Sequence, residues 1–342
     1  MMTDAYRAVL AGLALALLAA APAAAQDFYR GKKLTILVGS SAGGGYDAYA
    51  RALQRSFANH IPGKPTVVVE NMPGAGSWTA VLHLDGAVPA DGTTMTIFNA
   101  GIITETITDP ASAKKKLSDY AWLGSISRDV RTCYVWAGLG LTGWEDLKRP
   151  KETTFGATGV GSASFNDIVM LKNLFGLNAR PILGYPGRSE VHLAIERGEL
   201  DGECGSTASL PEAWLTQKKA TMLLRLAALR TPEVPESVPY AADLLQNPDE
   251  RAIFDILTVA NEVGRPFILS KRVPADRLAT LRAAFDATMQ DPQFVAFATK
   301  QQLPVIPMGG DEAERLIDRI YEVPPDVAAK AKLMITPAKP PA

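Results

Sequence analysis

The first third of the chain alternates short apolar runs with amphipathic stretches. Three β-branched apolar runs, each followed by turn residues, are typical of buried strands: residues 34–38, 66–69 and 93–98. Between the first two runs, apolar side chains recur at helical spacing: Tyr46, Tyr49, Leu53 and Phe57. This βαβ rhythm predicts a mostly parallel sheet flanked by helices.

The rhythm resumes further along and predicts a second sheet. Strands are predicted at residues 132–136, 153–157, 181–183, 200–204, 222–229 and 256–263. Helices are predicted at residues 164–175, 189–197, 274–289, 291–301 and 311–322. The fold class is therefore α/β with two lobes, and a ligand cleft is expected between the lobes.

The predicted boundaries make lobe 1 discontinuous. We place lobe 1 at residues 26–126 and 226–335, lobe 2 at 127–225 and a loose tail at 336–342. Residues 1–25 are predicted to be a cleaved export signal.

The signal is predicted from an apolar run of twelve residues that is too short to cross a bilayer. It extends from Leu10 to Ala21 and is followed by three alanines that end at Ala25, where cleavage is expected. A retained anchor is the alternative, because Asp4 partly offsets Arg7. Either way, the sequence predicts export, with the mature protein in the periplasm.

Composition narrows the function classes. The chain has 342 residues, 47% hydrophobic, with a formal net charge of −1, so a large folded core is expected. Lys+Arg number 35 against 36 Asp+Glu, which leaves no basic surplus for nucleic acid. His60, His83 and His192 lack metal-ligand spacing, and we expect neither a metal nor a cofactor.

Cys133 and Cys204 are the only cysteines, and both lie in or at predicted strands. An exported chain meets an oxidising compartment in which such a pair can close. The sequence leaves two readings open, a disulfide or two buried thiols.

The most informative segment joins the first strand to the first helix. It contains Gly43, Gly44 and Gly45 before Tyr46 and Asp47. Glycines allow backbone N–H groups to turn toward a ligand, and a helix N-terminus carries partial positive charge. The segment therefore predicts an anion site, against the alternative of a plain turn.

Two enzymatic patterns overlap this segment. Residues 43–48 fit the G-x-G-x-x-A dinucleotide pattern, with Glu70 where a ribose-binding acid would lie, but Asp47 would repel a pyrophosphate. Residues 39–43 fit the G-x-S-x-G pattern of a hydrolase with Ser41 as nucleophile, but no histidine occupies an evident late loop. Both readings are disfavoured.

Two later loops repeat the strand-to-helix arrangement. Residues 158–164 are rich in glycine and serine, and Ser164 with Asp167 predicts a capping box and a second anion site. Residues 184–189 enter another helix, where Arg188 is either a cation for the ligand or a solvated charge.

Five segments in order resemble the tripartite tricarboxylate transporter receptors, the Bug-type periplasmic solute-binding proteins. They are residues 38–47, 67–76, 90–93, 155–162 and 198–202. The resemblance covers nearly the whole chain after residue 25. It implies a type II periplasmic binding fold whose loops hold carboxylates through backbone N–H groups, hydroxyls and waters, and a partnership with a large and a small membrane subunit.

The chain departs from the family pattern at three places. Tyr46 stands where Thr or Ser is usual, no histidine follows Ser164 and Phe165, and Arg128 adds a charge near the lobe crossing. These departures leave the ligand undefined.

The sequence thus predicts a monomeric, non-enzymatic receptor for a small organic acid, either a di- or tricarboxylate or an aromatic carboxylate. A sensor subunit for a signalling partner is the alternative, and a serine hydrolase using Ser41 is a weaker one. The predicted ligand-binding residues are Ser40, Ser41, Gly43, Gly44, Gly45, Tyr46, Asp47, Asn99, Gly101, Arg128, Thr158, Gly161, Ser162, Ser164, Arg188 and Ser206.

Overall fold

The structure is a computed structural model that divides the chain into two compact units. It describes residues 28–40, 42–43, 45–110, 114–157, 162–185 and 188–336. The predicted signal at residues 1–25 and the tail from residue 337 lie outside the described residues. Unit 1 comprises the described parts of Met1–Ile102, Lys114–Ser127 and Arg265–Ile317. Unit 2 comprises those of Ile103–Ala113, Arg128–Gly264 and Asp318–Ala342.

Unit 1 is built on a six-stranded sheet in the order β11-β4-β10-β3-β1-β2. Its strands are β1 (Lys33–Val38), β2 (Thr66–Asn71), β3 (Thr94–Ile97), β4 (Tyr120–Ser125), β10 (Pro266–Ser270) and β11 (Met308–Gly309). β1 pairs in parallel with β2 and β3, whereas β10 is antiparallel to β3 and β4, and β11 is antiparallel to β4.

Helices cover this sheet and close its core. The helices lying largely in unit 1 are α1 (Gly45–His60), α2 (Trp78–Gly86), α8 (Ala275–Gln290), α9 (Pro292–Lys300) and α10 (Gly310–Tyr321). The helical spacing read from the sequence is confirmed in α1, where Tyr49, Leu53 and Phe57 are buried in the core with Leu34 and Phe285. Tyr46, at the start of α1, is only partly buried.

Unit 2 is built on a five-stranded sheet in the order β7-β6-β8-β5-β9. Its strands are β5 (Arg131–Trp136), β6 (Thr153–Gly156), β7 (Ala179–Ile182), β8 (Gly202–Ser206) and β9 (Ala220–Arg225). Its helices are α3 (Gly101–Thr108, lying mainly here), α4 (Ala163–Phe175), α5 (Arg188–Glu196), α6 (Glu212–Thr216), α7 (Pro248–Val263) and α11 (Pro325–Met334). Among the described residues, no helix is long and apolar enough to cross a bilayer.

The α/β class with two units is confirmed, but both sheets are mixed rather than mostly parallel. In unit 2, β6 is parallel to β7 and β8, while β5 is antiparallel to β8 and β9. In unit 1, both antiparallel additions to the sheet, β10 and β11, follow the return of the chain from unit 2 at Arg265.

The strand predicted at residues 256–263 is wrong. These residues form the second half of α7, which begins with Pro248 after an Asn247 cap. Ile256, Val259 and Val263 are buried at intervals of three and four residues, which is helical spacing. A short apolar run is compatible with a buried strand and with a buried helix face, so its composition alone does not distinguish the two.

Residues 226–264 group with unit 2, whereas the sequence placed them in lobe 1. The reason is packing: α7 contacts α4 and α11, and Phe254 lies in the same core as Leu224. Because α11 lies on the same helices, residues 318–335 also belong to unit 2. The chain therefore returns to unit 1 only at Arg265.

A disulfide joins the two central antiparallel strands of unit 2. Cys133 on β5 lies directly opposite Cys204 on β8, with a Cα–Cα distance of 4.0 Å, and both residues are buried. Of the two readings that the sequence left open, the structure contains the disulfide.

Reducing this disulfide should destabilise the protein. The bond closes a loop with a sequence separation of 71 residues, and loop-closure entropy gives about 4 kcal/mol for a loop of that size. Urea unfolding with and without a strong reductant measures the effect. The Cys133→Ala/Cys204→Ala variant is the control and should not respond to the reductant; an unchanged wild-type midpoint would contradict the prediction.

Candidate functional site

Three loops of unit 1 meet at one edge of its sheet, which we call the unit 1 edge. The parallel strands β3, β1 and β2 all end there, and the loops that follow them include residues 39–40 and 42–43, 72–77 and 98–101. In open α/β sheets, ligands bind outside the carboxyl ends of such strands. The unit 1 edge is therefore the place to look for a site.

Ser77 ties the first and third of these loops together. Its Oγ donates to the carbonyl of Gly39 at 2.8 Å and accepts from the backbone N–H of Asn99 at 3.0 Å. Gly39 is required here, because a Cβ at this position would lie 2.6 Å from the Ser77 Cβ. Ser77 itself has a left-handed backbone with φ of 96°, which its two hydrogen bonds stabilise.

Asn71, the last residue of β2, fixes the loop after β1. Its Nδ2 donates to the carbonyl of Ser40 at 3.1 Å and to Asp47 Oδ1 at 2.9 Å. Arg51 donates to Asn71 Oδ1 and to Asp47 Oδ2. Asn71, which lies within residues 67–76, therefore links the end of β2 to the loop after β1. We call the hydrogen-bonded group of Asn71, Asp47 and Arg51 the brace.

Asp47 is the centre of this brace. Its buried carboxylate also accepts the backbone N–H of Gly43 at 2.9 Å. Burial opposes ionisation, but the hydrogen bonds from Arg51, Gly43 and Asn71 outweigh it and lower the pKa of Asp47 below its usual value. The contacts of Asp47 thus order the glycine-containing loop, which assigns it a positioning role.

Tyr46 connects α1 to the loop after β3. Its hydroxyl donates to Asn99 Oδ1 at 3.3 Å and accepts from the N–H of Ala100 at 3.2 Å. Asn99 Oδ1 also accepts from the N–H of Gly101 at 3.0 Å, at the start of α3. The structure therefore brings Tyr46, Asn99 and Gly101 together. Gly45 begins the same helix as Tyr46 and follows the loop that carries Ser40 and Gly43.

A cation that the sequence did not single out lies at the same edge. The guanidinium of Arg265 lies over the ring of Tyr46, 5.0 Å from its centroid, and 5.4 Å from that of Tyr49. Its backbone N–H donates to the carbonyl of Ser127 at 3.0 Å. Arg265 stands outside every recognisable motif, so only the fold identifies it.

In unit 2, the capping box predicted for Ser164 and Asp167 is wrong. The cap of α4 is Ser162, whose Oγ accepts the N–H of Phe165 at 3.3 Å. Ser164 lies inside the helix, with its hydroxyl 3.4 Å from that of Ser162. The helix begins two residues earlier because Ser162 is the residue with extended backbone.

Asp167 instead belongs to a buried ion-pair network. Arg131 donates to it through Nε at 2.7 Å and contacts Asp129 at 3.3 Å. Burial raises the pKa of Asp167 to about 6, against the opposing charge of Arg131. For Asp129, burial is outweighed by Arg131 and by a hydrogen bond from Ser206, and its pKa is lowered. Ser206 thus has a partner within its own unit.

Arg188 enters a second polar cluster on the other face of that sheet. Its Nε donates to Glu203 at 3.0 Å, and its guanidinium also contacts Ser209. The buried carboxylate of Glu203 accepts from Tyr134 at 2.6 Å and lies 3.2 Å from His192. Burial would raise the Glu203 pKa, but these partners lower it. Arg188 is therefore engaged by the chain itself.

The remaining predicted residues are distributed as follows. Arg128 is the first residue of the second segment of unit 2, and its charge acts on Glu262. Four predicted ligand residues lie outside the described residues: Ser41, Gly44, Thr158 and Gly161.

The residues of the disfavoured enzymatic patterns have other partners. Glu70 is exposed and pairs with Lys33. His60, at the far end of α1 from Gly45, contacts Asp291 at 2.9 Å. His192 contacts Tyr134 and Glu203 in unit 2.

Comparisons with known proteins agree with this architecture. No protein-family model matches the chain. A curated relative from Agrobacterium vitis, described as a UPF0065 protein in the TAR-I ttuE-ttuC' intergenic region, is 26% identical over 290 residues. That match covers 83% of this chain and 79% of the relative.

Solved structures share the fold. A TctC solute-binding protein from Polaromonas, without ligand, matches with a TM-score of 0.72 and 19% identity over 90% of this chain and 99% of its own. The periplasmic binding protein BugD matches at 0.54 and 21%, over 90% and 98%. An R. palustris protein with adipate matches at 0.54 and 20%, over 88% and 97%.

The fold is therefore of the two-lobed α/β class found in these periplasmic binding proteins. Within that class, the resemblance to the Bug-type tripartite tricarboxylate transporter receptors is confirmed by the curated relative and by the TctC and BugD folds.

The brace around Asp47 can be tested by the Asp47→Asn substitution. The amide nitrogen of asparagine cannot accept hydrogen bonds, so the N–H groups of Gly43 and Arg51 would lose their acceptor. We therefore expect the free energy of unfolding to fall by about 1–3 kcal/mol at pH 7. Because the Asp47 pKa is depressed, its stabilisation is complete above the unfolded value of about 4 and is lost as pH falls through the folded pKa.

Melting temperatures measured from pH 7 to pH 3 should therefore show the two proteins converging at the acid end. Glu70→Gln is the matched control, because an exposed pair with Lys33 contributes about 0–1 kcal/mol. If the two melting temperatures differed by the same amount across the pH range, the stabilising role of the ionised Asp47 would be contradicted.

The cap of α4 gives a separate prediction. Ser162→Ala removes the acceptor of the Phe165 N–H and should cost about 1 kcal/mol in urea unfolding. Ser164→Ala is the control and should cost less, since Ser164 is not the cap. A larger loss for Ser164→Ala than for Ser162→Ala would show that Ser164 is the cap, as the sequence predicted.

Proposed function

We propose that this chain is a solute-binding receptor that captures a small organic acid for a tripartite tricarboxylate-type transporter. The observation that carries the proposal is the unit 1 edge, where three loops are braced by Asp47, Asn71 and Ser77 around a glycine-containing turn. The similarity of the fold to a TctC solute-binding protein supports it. The adipate in the R. palustris structure supports an acid as the ligand class.

The charges at this edge favour an anion. α1 begins at Gly45 and α3 at Gly101, so two helix N-termini contribute partial positive charge. The guanidinium of Arg265 lies over the ring of Tyr46 at the same edge. The carboxylate of Asp47 is paired with the guanidinium of Arg51 at 2.9 Å, which reduces its repulsion of an incoming anion.

Several finer features belong to the proposal. We place the receptor in the periplasm after removal of a leader, as a monomer that delivers its ligand to one large and one small membrane subunit. We infer that it does not transform the ligand. The position of the ligand between the two lobes stays a prediction from the sequence.

A panel of adipate, malate, citrate, benzoate and nicotinamide tests the proposal by thermal denaturation. A ligand at a hundred times its Kd stabilises the folded state by about 2.7 kcal/mol, which raises the melting temperature by several degrees. At least one acid should do so. No shift with any acid would contradict the function.

A glycine substitution localises the binding. Gly43 has φ of +82° with open space at its Cβ position, so Gly43→Ala would project a methyl group from the loop. We expect a tenfold or greater loss of acid affinity, measured by calorimetry. Gly31, with φ of +68° and open space, is the control: Gly31→Ala carries a similar backbone cost of about 1 kcal/mol and should bind normally. Equal acid affinity in the two variants would show that the loop carrying Gly43 is not part of the binding site.

A further inference from the structure

The strands of unit 1 begin at the edge of the sheet opposite the unit 1 edge. β1, β2 and β3 are parallel, and β4 points the same way because β10 is antiparallel to both β3 and β4. The starts of these four strands therefore meet the end of β10 at the opposite edge. Five chain segments form it: residues 29–33, 63–66, 85–93, 114–119 and 271–277.

Hydrogen bonds join the segments that lead into β1, β2 and β3. The backbone N–H of Thr66 donates to the carbonyl of Lys32 at 2.9 Å. The hydroxyl of Tyr29 donates to the carbonyl of Gly92 at 3.4 Å. These three segments therefore lie side by side.

The segments next to β4 and β10 continue the same surface. The carboxylate of Asp85 contacts the ammonium of Lys115, and its backbone carbonyl accepts from the guanidinium of Arg272. The ammonium of Lys271 donates to the carbonyl of Ser118 at 3.3 Å. All five segments thus belong to one surface of unit 1.

This surface has an excess of positive charge, and we call it the unit 1 basic face. Its five segments contain ten cationic residues and four acidic ones, whereas the whole chain has a formal net charge of −1. The rest of the chain is therefore net acidic. The cations are Arg30, Lys32, Lys33, Lys64, Lys114, Lys115, Lys116, Lys271, Arg272 and Arg277, and all except Arg277 are exposed.

Several of these cations have acidic partners at the surface. Lys33 pairs with Glu70 at 3.2 Å, and Lys271 lies 3.8 Å from Glu314. Surface ion pairs of this kind contribute little to stability, so a cation can exchange one anionic partner for another. The attraction of the face for an anionic surface depends on its net charge and does not require any cation to lack a partner.

The composition of the face does not resemble that of a protein–protein interface. Seven of its ten cations are lysines, a residue that is depleted in such interfaces, where buried aromatic and arginine side chains provide most of the binding energy. Among the described residues, the exposed large apolar side chains lie outside the five segments: Leu183, Leu193, Val295 and Leu333. A protein partner would therefore find charge here but no apolar anchor.

The shape and the lysine content of the face favour a lipid surface instead. Five neighbouring strands at a spacing of about 4.8 Å spread the cations over about 20 Å. A flexible lysine acts as a point charge and needs no fixed partner geometry. Clusters of four to eight such cations are typical of proteins that bind anionic phospholipids.

We propose that the unit 1 basic face binds the anionic headgroups of a phospholipid bilayer and holds the protein at a membrane surface, with the unit 1 edge directed away from the lipid. Because the two edges lie at opposite ends of the same strands, lipid and a captured acid do not compete. The inference goes beyond the receptor function. It is tested without any acid, so its failure would leave that function in place.

Co-sedimentation of the full chain with vesicles tests the proposal. One set contains phosphatidylcholine with about 30% phosphatidylglycerol, and the other contains phosphatidylcholine alone. The protein should bind the first set about tenfold or more tightly at about 50 mM salt, and the difference should disappear at about 500 mM salt because the charges are screened. The apolar run at residues 10–21 would bind both sets alike, so the readout is the difference between them.

Lys114→Gln/Lys115→Gln/Lys116→Gln is the first test variant. A cation near an anionic surface strengthens binding about fivefold. Loss of three should therefore weaken binding to the anionic vesicles about tenfold or more, even after screening by salt. Binding to the neutral vesicles should not change.

Lys151→Gln/Lys172→Gln/Lys218→Gln is the matched control. It removes three exposed lysines of unit 2 and changes the net charge of the chain by the same amount. Its affinity for the anionic vesicles should stay within about threefold of wild type, because the removed charges lie outside the basic face. An equal loss in this control would overturn the role of the face.

Lys32→Gln/Lys33→Gln/Lys64→Gln removes charge at the other end of the face, beside β1 and β2. It should weaken anionic binding by a similar factor, and it also serves if circular dichroism shows that the first variant fails to fold. Equal binding of the wild type to both sets of vesicles would overturn the proposal. Salt-sensitive binding to soluble polyglutamate without binding to the anionic vesicles would overturn the lipid assignment in favour of an acidic protein partner.

Discussion

The buried carboxylate of Asp47 is the interaction on which the unit 1 edge depends. It accepts from the Gly43 backbone, from Asn71 at the end of β2 and from Arg51 one turn along α1. Each donor comes from a different part of the edge, so one charge fixes the turn, the neighbouring strand end and the helix together. A glycine-containing loop would otherwise sample many backbone conformations. Its order makes a preorganised binding surface feasible.

The arginine side chains described in the two units have different kinds of partner. In unit 2, Arg131 and Arg188 are each paired with buried carboxylates of the same unit, so their charge is largely neutralised. In unit 1, the guanidinium of Arg265 lies over the rings of Tyr46 and Tyr49, a contact that suits a guanidinium. Tyr46, the departure from the family pattern, contacts both this guanidinium and the loop after β3.

Local signals in the sequence were sufficient for much of the fold. The strand-to-helix turn at Gly43 and the apolar spacing of α1 follow from short-range rules, and both were predicted. The helix at residues 256–263 was missed because its apolar residues fit two periodicities, and Ser162 was missed as a cap because Ser164 offers the same chemistry two residues later. Arg265, and Asn71 as a partner of Asp47, could not be predicted, since strand register brings these residues to the edge from distant parts of the chain.

The central claim is that this chain captures a small organic acid without covalent change. Native mass spectrometry of the purified protein, incubated with the acid panel, tests it most directly. We expect a folded species heavier by the mass of one intact acid, which dissociates on denaturation. A spectrum of unliganded protein alone, or a released product of altered mass, would contradict it.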